Sequence, residues 1–381
     1  MLKDKLVYLR NMLHVMGRPA TPPDLIFFIT SRCNARCEFC HFISQINDPE
    51  RKNKELTLDE IRVVAQNYGR VSKLSLCGGE PFLRSDVAEI VQAFVDLCAT
   101  RIVDIPTNGF YTAAILKQTA TILAANPSLA LEIQLSIDGP PAVHDRVRKV
   151  PGLYERCMQT IGELERLREK HSNLRIKMNV VYQPANRQST YQLAQDFEKR
   201  FAFDRFQITF PHGDAELQTK IADLSYEEFY RMSRRILLHM RQRRRFDLHS
   251  LLFRAIKILR DEVLKDILKD TDMGKVCHAG ERILVVDDIG EVYPCEPLWE
   301  SVGNLRQAHY NIKEILNAPA MHIFRQKHLG CGKCHCTWGC VVLDQIIFNP
   351  RYYYKILYYM LYLAWGGGKG LNEWTADNES G

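Results

Sequence analysis

The chain has 381 residues, more than a single hydrophobic core ordinarily supports, so a large domain with a smaller appendage is expected. Its 46% hydrophobic and 25% charged residues exclude disordered and fibrous classes. A net charge of +6 is modest for this length and alone names no partner, and the run Arg241-Gln242-Arg243-Arg244-Arg245 reads as a solvated helix end rather than a nucleic-acid or anionic-lipid patch.

Residues 1–23 read as an N-terminal helical extension. Lys3, Asp4, Lys5 and Arg10 interrupt its apolar positions, which argues against a signal peptide. No stretch reaches the roughly 18 apolar residues of a spanning helix, and the expected location is cytoplasmic. From 24 to 215, short β-branched or apolar runs alternate with longer amphipathic stretches, the mark of βα units around a parallel sheet. Strands are expected at 25–30, 73–76, 102–106, 131–137, 175–181 and 205–210, with helices at 58–67, 87–98, 113–124 and 154–169. This predicts an α/β fold, a partial (β/α)6 TIM-like barrel, whose chemistry belongs at the C-terminal strand ends.

Residues 216–270 are helical and strongly charged, and read as a bridge. Residues 271–345 form a small cysteine-rich α+β unit, with a hairpin over 283–293 turning near Asp287-Asp288-Ile289-Gly290. Residues 346–381 open on an aromatic helix that Gly366-Gly367-Gly368 breaks before a tail expected to be flexible. That helix either packs against the barrel or, because tyrosine and tryptophan suit boundaries that are wet on one side, makes peripheral membrane or lipid contact.

Twelve cysteines in a chain expected to sit in a reducing compartment point to metal ligation rather than disulfides. Cys33-x3-Cys37-x2-Cys40 places three thiolates on one short loop, and an iron–sulfur cube held by three cysteines keeps one iron open for a small chelating ligand. Two other readings compete. Cys37-Glu38-Phe39-Cys40-His41 matches a haem-attachment pattern but leaves Cys33 unused. Zinc needs a fourth ligand, for which His41 is nearest.

This spacing, with Phe39 before the last cysteine, resembles the radical S-adenosylmethionine (radical SAM) family, and Gly78-Gly79-Glu80-Pro81 resembles its methionine-binding segment. The resemblance continues through Ser136-Ile137-Asp138-Gly139-Pro140, His144-Asp145 and Arg148. Lys149 stands where the family commonly has glycine. It implies a [4Fe–4S] cluster with an open iron at Cys33, Cys37 and Cys40, and S-adenosylmethionine held by Phe39, Gly78, Gly79, Glu80, Pro81, Asn108, Ser136, Asp138, Arg148 and Asn179. In that family Glu80 would hold the ammonium group, Ser136 the ribose or carboxylate, Arg148 a carboxylate and Asn179 the ribose.

Cys277-x17-Cys295 and Cys331-x2-Cys334-x-Cys336-x3-Cys340 form a second set, and cysteines flanking a hairpin can converge with a downstream pair on one centre. The set resembles the auxiliary-cluster appendages called SPASM and twitch, and the early Cys336 suits the shorter twitch pattern. Cys277, Cys295, Cys331 and Cys334 would enclose an auxiliary [4Fe–4S] cluster, with Cys336 and Cys340 as alternative ligands. Tetrahedral zinc stays open at this site. Cys98 and Cys157 are expected in the core, while Cys77 borders the cofactor segment.

The resemblance implies hydrogen abstraction from an unactivated carbon of an unknown organic substrate, with electrons from a reductant such as flavodoxin or ferredoxin. The short segment before the barrel favours a non-peptide substrate. A non-catalytic electron-transfer or metal-binding adaptor is the alternative, and it has no use for Gly78 to Pro81 at a strand end.

Overall fold

The structure, a computed structural model, describes residues 19–211, 223–239, 248–268, 277–328 and 338–365. The residues read as a helical extension, an arginine run, and a glycine-rich tail lie largely outside these.

Six parallel strands run in the order of the sequence. They are β1 (Asp24–Thr30), β2 (Lys73–Gly78), β3 (Ile102–Thr107), β4 (Ala130–Ser136), β5 (Leu174–Val181) and β6 (Arg205–Thr209). The sheet does not close, so this is the partial barrel the sequence predicts. Between the strands lie α1 (Ile43–Asn47), α2 (Leu58–Tyr68), α3 (Val87–Cys98), α4 (Thr112–Ala125), α5 (Pro141–Arg148), α6 (Leu153–Lys170) and α7 (Thr190–Arg200). Helix α2 starts on a capping box in which Thr57 and Glu60 satisfy each other's backbone N–H. Three of these helices, α1, α5 and α7, are not among the spans named from the sequence; α1 and α5 are short and α5 and α7 are polar, so their apolar spacing is faint.

Helix α5 ends at Lys149, which adopts φ 56° and ψ 38°, the left-handed conformation glycine enters freely and other residues at a cost. The departure from the family's glycine therefore falls where glycine fits best. Lys149→Gly is expected to stabilise the chain by up to about 1 kcal/mol, read as a rise in thermal midpoint with the helix unchanged by circular dichroism.

Beyond β6, α8 (Tyr226–His239) and α9 (Leu248–Leu268) pack on each other. Then β7 (Ile283–Val286) returns to pair in parallel with β1, Asp24 opposite Ile283 and Phe27 opposite Val286. Strands β8 (Glu291–Tyr293) and β9 (Gly303–Asn304) follow antiparallel, giving one nine-stranded sheet in the order β6-β5-β4-β3-β2-β1-β7-β8-β9. The cysteine-rich hairpin is thus an extension of the barrel sheet. Its turn is fastened to the barrel by Arg51, which bonds Asp288 at 2.8 Å and Asp287 more closely, and Leu56 N–H donates to the Asp288 carbonyl at 2.7 Å. Arg306 adds a fork onto Glu60 at 2.6 and 3.0 Å.

Helices α10 (Ile312–Leu316) and α11 (Pro319–His328) follow the hairpin. Two helices follow, α12 (Gly339–Ile347), which closes the cysteine-rich unit, and α13 (Tyr353–Ala364), which lies within the aromatic stretch. Pro350 has no N–H to continue the ladder and disfavours helical Asn349, while the Asn349 side chain accepts from Arg351 N–H at 3.1 Å. Ile356, Tyr359 and Leu363 are buried, and α13 packs on α9. Its other side leaves Tyr354, Leu357, Tyr358 and Trp365 exposed. No helix among the described residues is long and apolar enough to cross a membrane.

Candidate functional site

The first cysteine loop leaves β1 immediately after a register shift between Phe28 and Thr30, an irregularity that re-aims the chain. Glu55 holds its start, accepting from the Thr30 hydroxyl at 2.6 Å, Ser31 N–H at 3.0 Å and Arg32 at 2.8 Å. The far side is fixed to α5, where Arg36 N–H donates to the Arg148 carbonyl at 3.2 Å and Glu38 N–H to the Val147 carbonyl at 3.1 Å. These contacts present Cys33, Cys37 and Cys40 together, all half-buried.

Burial pushes the Cys33 thiol up to about 11 and Cys40 up to about 12, and raises Cys37 as well. For Cys40 the next cause is the field of Cys37, so three ionised thiols here repel one another. Only a cationic centre makes them thiolates together, and three thiols are what a cube with one open iron requires. Among the described residues no three metal-ligating side chains close around an ion-sized point; a cube with separate irons does not ask them to. His41, the nearest fourth ligand for zinc, instead places Nε2 3.0 Å from Glu296. The donor set fits an iron–sulfur cube.

The end of β2 abuts this loop. A side chain on Gly79 would bring its Cβ to 2.1 Å from the Arg32 carbonyl oxygen, and one on Gly78 to 2.3 Å from that of Thr30. Glycine here lets two backbones touch, with Gly79 N–H donating to Thr30 and Glu80 N–H to Arg32, both at 2.8 Å. Pro81 then opens a single 3-10 turn.

Glu80 is buried and its carboxylate accepts from the Thr107 hydroxyl and Asn108 N–H, each at 2.8 Å, and Phe82 N–H at 3.3 Å. None of those partners is a cation, and burial pushes its carboxyl up to about 7. A carboxylate so placed gains from a visiting ammonium group. Asn108 also ties the third strand end to the cysteine loop by donating from Nδ2 to Asn34 at 2.8 Å.

Around β4 and β5 the residues divide. Asp138 engages both oxygens internally, on Arg148 Nε at 2.7 Å and Val181 N–H at 2.9 Å. Arg148, buried, lies over the Phe39 ring at 5.6 Å, and its charge lowers the Cys37 thiol against burial. Asp138, Arg148 and Phe39 therefore shape the wall behind the cysteines. His144 accepts from Asp138 N–H through Nδ1 at 3.1 Å, and burial holds it down to about 2, so it stays neutral. Ser136 lies opposite Asn179 across β4 and β5, and Asn179 accepts from the Thr209 hydroxyl at 2.7 Å.

Cys98 and Cys157 are core residues as expected; Cys157 donates to the Asn108 carbonyl at 2.8 Å. Cys77 lies in the field of Glu296 and of Cys340, and Cys340 in that of Lys73 and Glu296. Cys295 is buried and Cys277 half-buried. Cys331, Cys334 and Cys336 lie outside the described residues. Sequence reasoning missed Glu55 and Asn34, polar residues whose roles nothing local marks.

Residues 27–197 match the family model described as the Radical SAM superfamily, and residues 277–337 match that of SPASM, an iron–sulfur cluster-binding domain. An AdoMet-dependent heme synthase of Methanosarcina barkeri is 27% identical over 333 residues, 82% of this chain and 87% of that protein. A pre-heme d1 synthase of Dinoroseobacter shibae is 30% identical over 166 residues, 42% of this chain and 38% of its own. Among solved structures, Streptococcus suis SuiB bound to precursor peptide SuiA superposes with a TM-score of 0.57 at 17% identity, covering 89% of this chain and 76% of that one. Native anSMEcpe with bound AdoMet gives 0.52 at 18%, covering 90% and 97%. At such identities these two establish the fold.

Proposed function

Because the chain belongs to the radical SAM superfamily of enzymes and carries a SPASM segment, we propose that it abstracts hydrogen from an unactivated carbon of a small organic molecule, with net oxidation or bond formation. When bound, a cluster at Cys33, Cys37 and Cys40 with S-adenosylmethionine supplies a 5′-deoxyadenosyl radical by one-electron cleavage of the sulfonium. An external reductant of the flavodoxin or ferredoxin class provides that electron. The chain's own residues bind, orient and exclude water.

The observation that carries the reading is Glu80, a buried carboxylate with no cation among its hydrogen-bond donors, fixed next to the thiol loop by the Gly78-Gly79 contact. It takes the ammonium of S-adenosylmethionine. Ser136 and Asn179, side by side at the ends of β4 and β5, are assigned to the ribose. Arg148 acts at one remove, since its Nε is engaged by Asp138.

Proton competition at Glu80 gives a test. Its carboxyl, raised to about 7, must be ionised to pair with an ammonium, so binding weakens as pH falls through that value. The ligand's own α-amino group loses its charge above roughly pH 8, so affinity follows a bell. Below the acid limb it drops about tenfold per pH unit. In Glu80→Gln that limb disappears and the maximum falls, as calorimetric titration of the anaerobically reconstituted protein should record.

The preference for a small molecule draws on the heme-synthase likeness along most of the chain. Dithionite-reduced protein with S-adenosylmethionine should yield 5′-deoxyadenosine, and a porphyrin panel should accelerate it. Acceleration by precursor peptides alone would replace the small-molecule reading.

A further inference from the structure

His41 follows Cys40, a ligand of the first centre, and Glu296 follows Cys295, which the reading above assigns to the second. The two side chains meet, with His41 Nε2 3.0 Å from Glu296 Oε1. Both are largely withdrawn from solvent. From Cys40 Sγ to Cys295 Sγ the path is covalent except at that single contact.

The contact is built into an aromatic stack. The His41 ring lies nearly parallel to the Trp299 indole, with centroids 6.2 Å apart and planes at 27°. Trp299 also meets Phe28 at 5.4 Å, Phe42 at 5.8 Å and Tyr293 at 4.5 Å. Phe28 and Phe42 flank the first cysteine loop, whereas Tyr293 belongs to the hairpin. Trp299 adopts φ 44°, a left-handed conformation that is costly for a bulky residue and persists only where its surroundings over-determine it. The strain sits where the two cysteine units face each other.

We propose that His41, stacked on Trp299, and Glu296, in contact with His41, form the electron bridge between the two cysteine-held centres. The inference rests on Cys295 being a ligand of the auxiliary cluster. One electron crosses, the donor centre is oxidised by one and the acceptor reduced by one. No bond forms or breaks. Glu296 and His41 are positioning residues in this scheme, acting through the ligands they follow.

The test uses the full chain reconstituted anaerobically with iron and sulfide, flash-photoreduced with deazaflavin in the presence of S-adenosylmethionine. Freeze-quench electron paramagnetic resonance follows the two reduced signals, and 5′-deoxyadenosine is quantified in the same samples. The auxiliary signal should decay as the nucleoside appears. His41→Phe, which keeps a ring on Trp299 but loses the nitrogen, and Glu296→Ala should each slow that decay about tenfold, with iron content and both signals retained. Glu296→Gln, which preserves the contact, should restore the wild-type rate. Unchanged decay in His41→Phe and Glu296→Ala, with both clusters loaded, overturns the bridge. An auxiliary signal that survives in Cys295→Ala instead removes the premise, and is recognised separately.

Discussion

Cys37→Ala is expected to abolish 5′-deoxyadenosine formation altogether, not merely to slow it. Of the three loop cysteines, Cys37 sits closest in field to Arg148, with Asp138 behind it, at the point where the loop is clamped to α5. Two thiolates cannot replace the three that leave one iron open, so neither the cluster signal nor the cleavage product should appear under dithionite. The control is Cys157→Ala. That thiol donates to the Asn108 carbonyl, and losing it costs about 1–3 kcal/mol of stability while nucleoside formation persists. Equal loss in both variants would mean that the first measurement reports folding, and nucleoside formed by iron-loaded Cys37→Ala would end the proposed function.

The barrel is largely legible in the amino-acid sequence. Every barrel strand falls within two residues of its expected span, because runs such as Leu131, Ile133 and Leu135 alternate with polar residues. The triad and Gly78 to Pro81 are legible as chemistry, and their placement at consecutive strand ends follows from the barrel topology. What the glycines do locally is not. Chain neighbours do not reveal that Gly79 faces the Arg32 carbonyl, since that contact joins two loops separated by more than a whole βα unit.

The hairpin shows a different kind of limit. Ile283 to Val286 is apolar at every position and fully buried, the pattern of a parallel strand covered on both faces rather than of a half-wet hairpin. The signal for pairing with β1 is therefore present, although the partner is not. A further surprise is the polar face of β3 to β6. Glu132 lies against Lys177 and 3.1 Å from Arg205, and Lys177 lies 3.2 Å from Asp104. A closed barrel fills that space with branched aliphatic side chains. Here α9 meets the polar face instead, through Phe253 under the Arg205 guanidinium at 3.6 Å and Lys257 on Gln207 at 3.4 Å.

Gly79→Ala is the second large effect, and its cause is steric alone. Gly79 does not adopt a left-handed φ, so alanine is allowed by the backbone there. Its methyl group, however, would stand 2.1 Å from the Arg32 oxygen and 3.1 Å from Cys33 Cβ, and a backbone carbonyl cannot swing aside as a side-chain end does. The two loops must part, breaking the bonds from Gly79 to Thr30 and Glu80 to Arg32. Overpacking costs about 1–3 kcal/mol, and the displaced Glu80 loses its place beside the cysteine loop. Since misplacement by about 1 Å can cost on the order of a hundredfold in rate, nucleoside formation should fall at least that far. The matched comparison is Gly152→Ala, where φ is +73° but nothing lies within 4 Å of the new methyl. Left-handed strain alone should cost about 1 kcal/mol and leave S-adenosylmethionine cleavage intact. If Gly79→Ala cleaves the sulfonium at the wild-type rate with its cluster loaded, the glycine contact does not position Glu80.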